Sequence, residues 1–269
     1  MQGVARSAQI LRALAEVRNE DGWARLADVA RMTGIHRGTV HRFLRAWQAE
    51  GWVERNERGR CYRTGPALLT LSRTAASQSR LLSVAQRVVE ALAEETGDTA
   101  MFFLHSGHNG ICMERHAGSY PIQFLAINIG DRVPLGKAAG TLAILSTLDD
   151  LAAMQIIDEN RQRDGAMAQL TREHYLDLLQ ATHLHGYAEK DGVVPGVKGF
   201  GVALFSGPRQ VIGGISLAVI KDRLQEGHRE VVLKALNKQA EYFYDTLNGG
   251  PKNTLPRSLN GWNHDNTAL

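Results

Sequence analysis

The sequence predicts an α+β chain with a small N-terminal winged helix-turn-helix and a larger C-terminal domain whose helices flank an antiparallel sheet. Three observations predict it. Apolar residues recur at helical spacing on both sides of Gly34, and an arginine-rich hairpin pattern follows. Beyond residue 98, short strand patterns joined by Gly and Pro turns mix with helical ones, the order of an α+β domain. Charge is also unevenly divided. Residues 1–80 hold 14 arginines, no lysine and 7 acidic residues, a net +7, whereas residues 81–269 hold 17 basic and 21 acidic residues, a net −4.

With 269 residues the chain accommodates two domains of ordinary size, and 43% hydrophobic with 22% charged residues marks it as globular rather than disordered. No apolar run approaches the ~20 residues that span a bilayer, so no membrane partner is expected. The opening MQGVARSAQILRALAE interleaves charges with apolar positions, unlike a signal peptide, and a cytoplasmic location is expected. A disulfide between Cys61 and Cys112 is not expected there; both read as small buried hydrophobes.

In order, a first helix of about Val4 to Arg18 carries Ile10, Leu11, Leu14 and Val17 on one face, and Asn19 to Gly22 form a loop. Leu26, Val29 and Ala30 give the second helix an apolar face, and Gly34 stops it where a left-handed residue is needed. The third helix begins near His36 and packs through Val40, Phe43, Leu44 and Trp47. Its opposite face holds Gly38, His41, Arg42 and Arg45, with Arg37 and Thr39 near the start. An inward anchor with outward cations and donors is what a recognition helix needs. After Gly51, Trp52 to Arg55 and Arg60 to Tyr62 alternate as strands around Asn56-Glu57-Arg58-Gly59. DNA contacts are expected from Arg37, Gly38, Thr39, His41, Arg42 and Arg45, with Arg55, Arg58 and Arg60 of the wing on backbone or minor groove. The bland reading, a core fragment with solvated arginines, is outweighed by the charge asymmetry and by the use of Arg, which favours bidentate contacts.

Pro66 opens a helix that continues to Ser79, and a further helix runs from Leu81 to Thr96. Strands are expected at Thr99–His105, Ile111–His116 and Ile122–Ile127, then a helix opening within Gly130–Gly140 and including Leu142 to Leu145. Helices near Asp149–Glu159 and Thr171–His183 follow, then strands Gly201–Phe205 and Val211–Val219, and a terminal helix from Gln225 to Leu247. The organisation is thus a DNA-binding domain at 1–65, a linker helix at 66–80, a second domain at 81–248 and a mobile tail at 249–269, with Trp262 in the tail unexplained.

Catalytic chemistry is not found. Gly-x-Ser-x-Gly is absent, and Gly213-Gly214 leads into a strand rather than a helix start. His105, His108, Cys112 and His116 fall across strand, turn and strand without obvious convergence, and His183 and His185 read as helix C-terminal caps. Asp149-Asp150 and Glu94-Glu95 read as solvated helix faces. No catalytic residue, metal or cofactor is expected, and the chain is not expected to be an enzyme.

These segments resemble the IclR (isocitrate lyase regulator) family of bacterial transcription factors. The matching pieces are the Ala8 to Val17 helix, Leu-Ala-Asp-Val-Ala, Thr39-Val40-His41-Arg42-Phe43-Leu44, Glu50-Gly51-Trp52-Val53-Glu54-Arg55 and Tyr62-Arg63-Thr64-Gly65-Pro66. The likeness covers roughly residues 4–247. Where the family usually has Ser or Thr, this chain has Gly38, which loses a phosphate-binding hydroxyl and permits closer backbone approach. The resemblance implies a GAF-like effector-binding domain with a small-molecule pocket on one side of its sheet. Carried over by segment, the effector residues are Leu135, Ala138, Ala139 and Gly140 at a helix start suited to a carboxylate, Asp191 in a loop one residue short, Gly199 where Cys is common, and Ser216 with Ala218 where two polar residues are common. These smaller, less polar residues suggest a roomier pocket and an effector larger or more apolar than glyoxylate or pyruvate, an aromatic acid among the candidates. The alternative, an alignment off by one, stays open.

The expected function is a ligand-responsive regulator of genes for catabolism of a small organic acid, bound to a palindromic operator in double-stranded DNA. A dimer follows from half-sites about one helical turn apart, and the resemblance implies a dimer of dimers. It also implies that the linker helix pairs two chains; an ordinary connector is equally compatible with the residues. The competing class is a small hydrolase with a basic DNA-binding-like appendage, and a third reading is an architectural DNA binder without an effector.

Overall fold

The computed structural model describes residues 2–15, 22–56, 60–208, 210–225 and 227–249. It divides into two units, Met1–Ser79 and Arg80–Leu269. Arg58, the loop before Gly22, Val17, and the tail with Trp262 lie outside the described residues.

The first unit contains α1 (Gln2–Ala15), β1 (Ala24–Arg25), α2 (Leu26–Thr33), α3 (Arg37–Ala49), β2 (Val53–Arg55), β3 (Cys61–Thr64) and α4 (Pro66–Gln78). Ile10 and Leu14 of α1, Val29 of α2, Val40 and Leu44 of α3 and Val53 and Tyr62 of the wing form its core. Gly34 caps α2 at φ 67°, the left-handed conformation that turns the chain into α3. The wing is antiparallel, with Arg55 opposite Tyr62. A strand absent from the sequence expectation completes the sheet: β1 pairs with β3, giving the order β1-β3-β2. Two residues are too few to show a period. On α4, Leu69 and Leu71 stand exposed.

The second unit contains α5 (Arg80–Thr96), β4 (Thr99–Ser106), β5 (Asn109–His116), β6 (Arg132–Pro134), α6 (Ala139–Leu145), α7 (Asp150–Arg163), α8 (Gly165–Ala168), α9 (Arg172–His185), β7 (Ala188–Asp191), β8 (Val197–Gly207), β9 (Gln210–Ile220) and α10 (His228–Asn248). Its six strands form one antiparallel sheet in the order β6-β5-β4-β9-β8-β7. Side chains alternate across it, as strand geometry requires. Phe102, Phe200, Val202, Ile215 and Leu217 pack with α5 and α10, while Met101, Phe103, Ala188 and Ala218 pack on the other face with residues of α6, α7 and α9.

The expected strand at Ile122–Ile127 is not formed; this segment is irregular. Phe124 and Ile127 are the buried positions, three apart rather than two. Its carbonyls are satisfied by a side chain instead of a neighbouring strand: the Arg115 guanidinium donates to the Ile127 carbonyl at 2.8 Å and the Leu125 carbonyl at 3.4 Å. Edge strand β6 stands in the stretch expected to open a helix, and β7 in a segment expected to be a loop.

Candidate nucleic-acid interface and ligand cavity

Helix α3 is held from below and open above. Val40 and Leu44 are fully buried, and Phe43 packs on Trp47 with ring centroids 5.7 Å apart. His36 caps its start, Nδ1 accepting the Gly38 N–H at 3.2 Å. Arg37, Gly38, Arg42 and Arg45 are exposed, and Thr39 and His41 are half-buried beside them. None of the three arginines is in an ion pair with a described residue. A Cβ on Gly38 would press on the His36 ring, 3.3 Å from Nδ1.

Wing arginines differ from one another. Arg55 and Arg60 are exposed, and Arg55 also lies over the Tyr62 ring at 5.6 Å. Arg63, not singled out from the sequence, is committed internally: it donates to Glu54 at 2.7 Å and stacks over Trp23 at 4.6 Å.

In the second unit the structure brings together most of the residues carried over by resemblance. Strand pairing aligns Gly199 with Ala218 and Gly201 with Ser216, so all four share the face that α6 covers. Ala139 and Gly140 start α6 directly above them, and Leu135 is buried in the same layer. The expectation of a roomier pocket at this face does not hold. A Cβ on Gly199 would lie 3.0 Å from the Ala139 Cβ, and one on Gly201 would lie 2.6 Å from the Ala139 carbonyl carbon. The glycines let the helix sit closer; they do not leave space. The Ala138 amide is also taken, donating to the Thr141 hydroxyl at 3.0 Å. The Ser216 hydroxyl is buried without a hydrogen-bond partner.

Asp191 does not join them. It lies on the opposite side of β7, 68% exposed, paired with Lys221 at 3.0 Å and Lys198 at 3.2 Å. Those two lysines hold its carboxyl below the usual range. Its neighbour Lys190, opposite Gly199, is the residue that faces the α6 layer.

Beside this layer, between α8–α9 and the β7 edge, is a cavity of about 440 Å³. Its apolar wall includes Met167, Leu170 and Leu178, and Lys137, Lys190, Lys198, His174, Glu189 and Asp191 line its polar parts. Lys190 is only 8% exposed, and its ammonium donates to the Lys137 carbonyl at 2.7 Å. Burial pulls its pKa down to about 8, and nearby Lys137 adds to this against the pull of Asp191. Tyr175 is fully buried, its hydroxyl has no partner, and burial pushes the phenol up to about 12. Lys137 is paired with Asp164 at 2.5 Å. Asp164 is disfavoured by burial, yet this bond and the Ala166 and Met167 amides hold its carboxyl below the usual range. Lys190, His174 and Tyr175 were missed from the sequence. The signal was strand parity: Ala188-Glu189-Lys190-Asp191, read as an edge strand, puts Lys190 inward and Asp191 outward.

The histidines and cysteine of the sequence cluster are dispersed into local roles. His105 Nε2 donates to the Gly107 carbonyl at 2.9 Å, and His108 Nδ1 donates to Glu159 at 3.1 Å. Cys112 is buried, and burial pushes its thiol up to about 12, away from the nucleophilic thiolate. His183 bonds the Ser146 carbonyl at 2.7 Å, and His185 stacks on Tyr187.

A winged-helix unit with an outward cationic recognition helix, joined to a separate α+β unit with a ligand-sized cavity, defines a DNA-binding transcription regulator with an effector-binding domain. The profile described as "IclR helix-turn-helix domain" matches residues 3–57, and that described as "Bacterial transcriptional regulator IclR C-terminal" matches residues 73–243. The chain belongs to the IclR family of bacterial transcriptional regulators. It is 23% identical over 229 residues to the HTH-type transcriptional regulator XynR of Escherichia coli, covering 84% of this chain and 89% of XynR. The crystal structure of an IclR regulator from a Silicibacter species has a similar fold, with a TM-score of 0.78 at 21% identity over 95% of this chain and 98% of that one. So does an IclR homologue from Microbacterium hydrocarbonoxydans complexed with 4-hydroxybenzoate, with a TM-score of 0.69 at 18% identity over 92% of this chain and all of that one.

Proposed function

We propose that this regulator binds a palindromic operator as a dimer, or a dimer of dimers, and releases or rearranges on it when the second unit takes up a small organic acid. Arg37, Gly38, Thr39, His41, Arg42 and Arg45 enter the major groove, and Arg55, Arg58 and Arg60 meet backbone or minor groove. The carrying observation is α3: three exposed arginines with no ion-pair partner among the described residues stand on a helix whose other face is locked in the core. The exposed Leu69 and Leu71 of α4 support pairing of two chains through that helix. An acid effector is supported by the lysines of the cavity, and an aromatic acid by its apolar wall and by the 4-hydroxybenzoate of the Microbacterium homologue. Switching requires that the effector bind the DNA-competent and incompetent arrangements with different affinities.

The test is a titration against the gene's own upstream DNA and an unrelated duplex, followed by a footprint. Tighter binding to the upstream DNA, with two protected half-sites about one helical turn apart, is expected. Equal binding to both duplexes contradicts an operator. For the effector arm, a ligand at 100 times its Kd adds about 2.7 kcal/mol of stability, which a thermal-shift screen of organic acids reads. Glyoxylate or pyruvate outcompeting aromatic acids contradicts the aromatic class.

A further inference from the structure

Lys190 differs from the other lysines at the cavity. Lys137 is paired with Asp164, and Lys198 with Asp191 and Glu189 at 3.2 and 3.8 Å. Lys190 is more deeply buried than either, yet no described carboxylate lies within ion-pair range of its ammonium. An ammonium carries three donors, and a single neutral carbonyl neither uses them nor balances the charge. Tyr175 lines the same cavity, and its hydroxyl is buried without a partner. An uncompensated cation and an unused donor are thus built into one cavity beside the apolar Met167, Leu170 and Leu178, while its acidic lining residues Glu189 and Asp191 are each paired with other cations. The face above Ser216, Gly199 and Ala218 offers no comparable room, because Ala139 and Gly140 rest against it.

We propose that the effector's carboxylate is held by the Lys190 ammonium and the Tyr175 hydroxyl in this cavity, with a ring-sized apolar body against Met167, Leu170 and Leu178. The inference rests on the effector reading above and gives it a place and a ligand class. One unpaired cation calls for one negative charge, so the ligand is a monocarboxylate. The other cations at the rim already serve protein carboxylates. A neutral amide of the same shape leaves the buried charge unbalanced and binds poorly.

The test uses the full chain with benzoate and 4-hydroxybenzoate as probes and benzamide as the neutral isostere, read by calorimetry and thermal shift. Wild-type protein is expected to bind at least one of the two acids, and benzamide roughly tenfold or more weakly. Lys190→Met should lose about thirtyfold in affinity for the acid. Its own melting temperature without ligand should stay level or rise, because a buried unbalanced charge has gone. Tyr175→Phe should lose about fivefold. Full acid affinity in Lys190→Met, or equal binding of acid and amide, overturns the anchor while leaving the effector reading intact. So does loss of binding in Ser216→Ala with Tyr175→Phe unaffected, which would move the carboxylate to the sheet face. A Lys190→Met protein that loses binding and melts far lower shows a structural lysine and also overturns it. If neither acid binds wild-type protein, the proposal falls; if a wider screen of acids is also silent, the effector reading falls with it.

Discussion

The two units use cations in opposite ways. On α3, Arg37, Arg42 and Arg45 stand in solvent on a packed helix, where their charge costs little to maintain and is screened by salt. In the cavity, Lys190 is withdrawn from water without a carboxylate partner, and its lowered pKa expresses the cost. The difference teaches what each charge is for. Exposed arginines suit a polyanion whose bound counterions are released on contact. A buried lysine suits a small anion that comes to it and is selected by the desolvation already spent.

The largest expected effect tests the exposed side. Arg42→Ala with Arg45→Ala should weaken operator binding by about 2 kcal/mol per arginine, close to a thousandfold together, in a fluorescence titration, with the melting temperature unchanged. A loss of less than tenfold would place those arginines outside the contact.

Next comes the buried side, read as stability against pH. The Lys190 pKa is lowered on folding from 10.5 to about 8, so the folded protein holds fewer protons than the unfolded chain between those values. The cost of burying the charge is therefore full below pH 8 and is relieved as pH rises through that window. By urea unfolding at pH 7, Lys190→Met should be more stable than wild type by an amount on the order of 3 kcal/mol, less the loss of one hydrogen bond. The advantage should shrink as pH approaches 10.5. A gap that stays constant or widens with pH would show that Lys190 is not a strained cation.

Smaller effects sharpen the contrast. Arg63 is exposed like the α3 arginines but committed to Glu54 and Trp23. Arg63→Ala should therefore change operator affinity less than about threefold and stability by about 1 kcal/mol or less. A large loss of operator affinity would show that exposure alone, not availability, selects the DNA contacts. The smallest is Lys221→Ala, which removes an exposed partner of the outward-facing Asp191. Stability should move by about 0.5 kcal/mol or less and acid binding by less than about threefold, because Lys198 still holds Asp191. A larger change in acid binding would give Asp191, at the cavity rim, a part in holding the acid.

Much of this was legible in the residues. Gly34, the Val40-Phe43-Leu44-Trp47 stripe and the wing arginines place a winged helix-turn-helix because helix period, turn chemistry and charge agree there. The two long strands β8 and β9 were legible in outline for the same reason. What failed was short or satisfied from afar. The pair Ala24–Arg25 has no period to read, and Ile122–Ile127 looks like a strand until Arg115 is seen capping its carbonyls. At the candidate site the error was one of parity. With the Ala188–Asp191 edge strand taken as a loop, the acidic Asp191 drew attention from Lys190, which faces inward. Gly199 likewise read as space lost from a side chain, whereas its missing Cβ makes way for the Ala139 methyl, as that of Gly201 does for the backbone of α6. Close approach of backbones is not written in any single residue.

The most direct measurement is the salt dependence of binding to the upstream DNA for wild type and for the Arg42→Ala, Arg45→Ala double variant. Wild-type affinity should fall steeply as salt rises, and the slope of log K against log salt should drop by about 0.9 for each arginine that meets a phosphate. Base contacts by the same arginines would show as lost discrimination between the upstream and unrelated duplexes. An unchanged slope with unchanged discrimination, or no binding to either duplex at low salt, would contradict the account, leaving the α3 arginines as solvated surface.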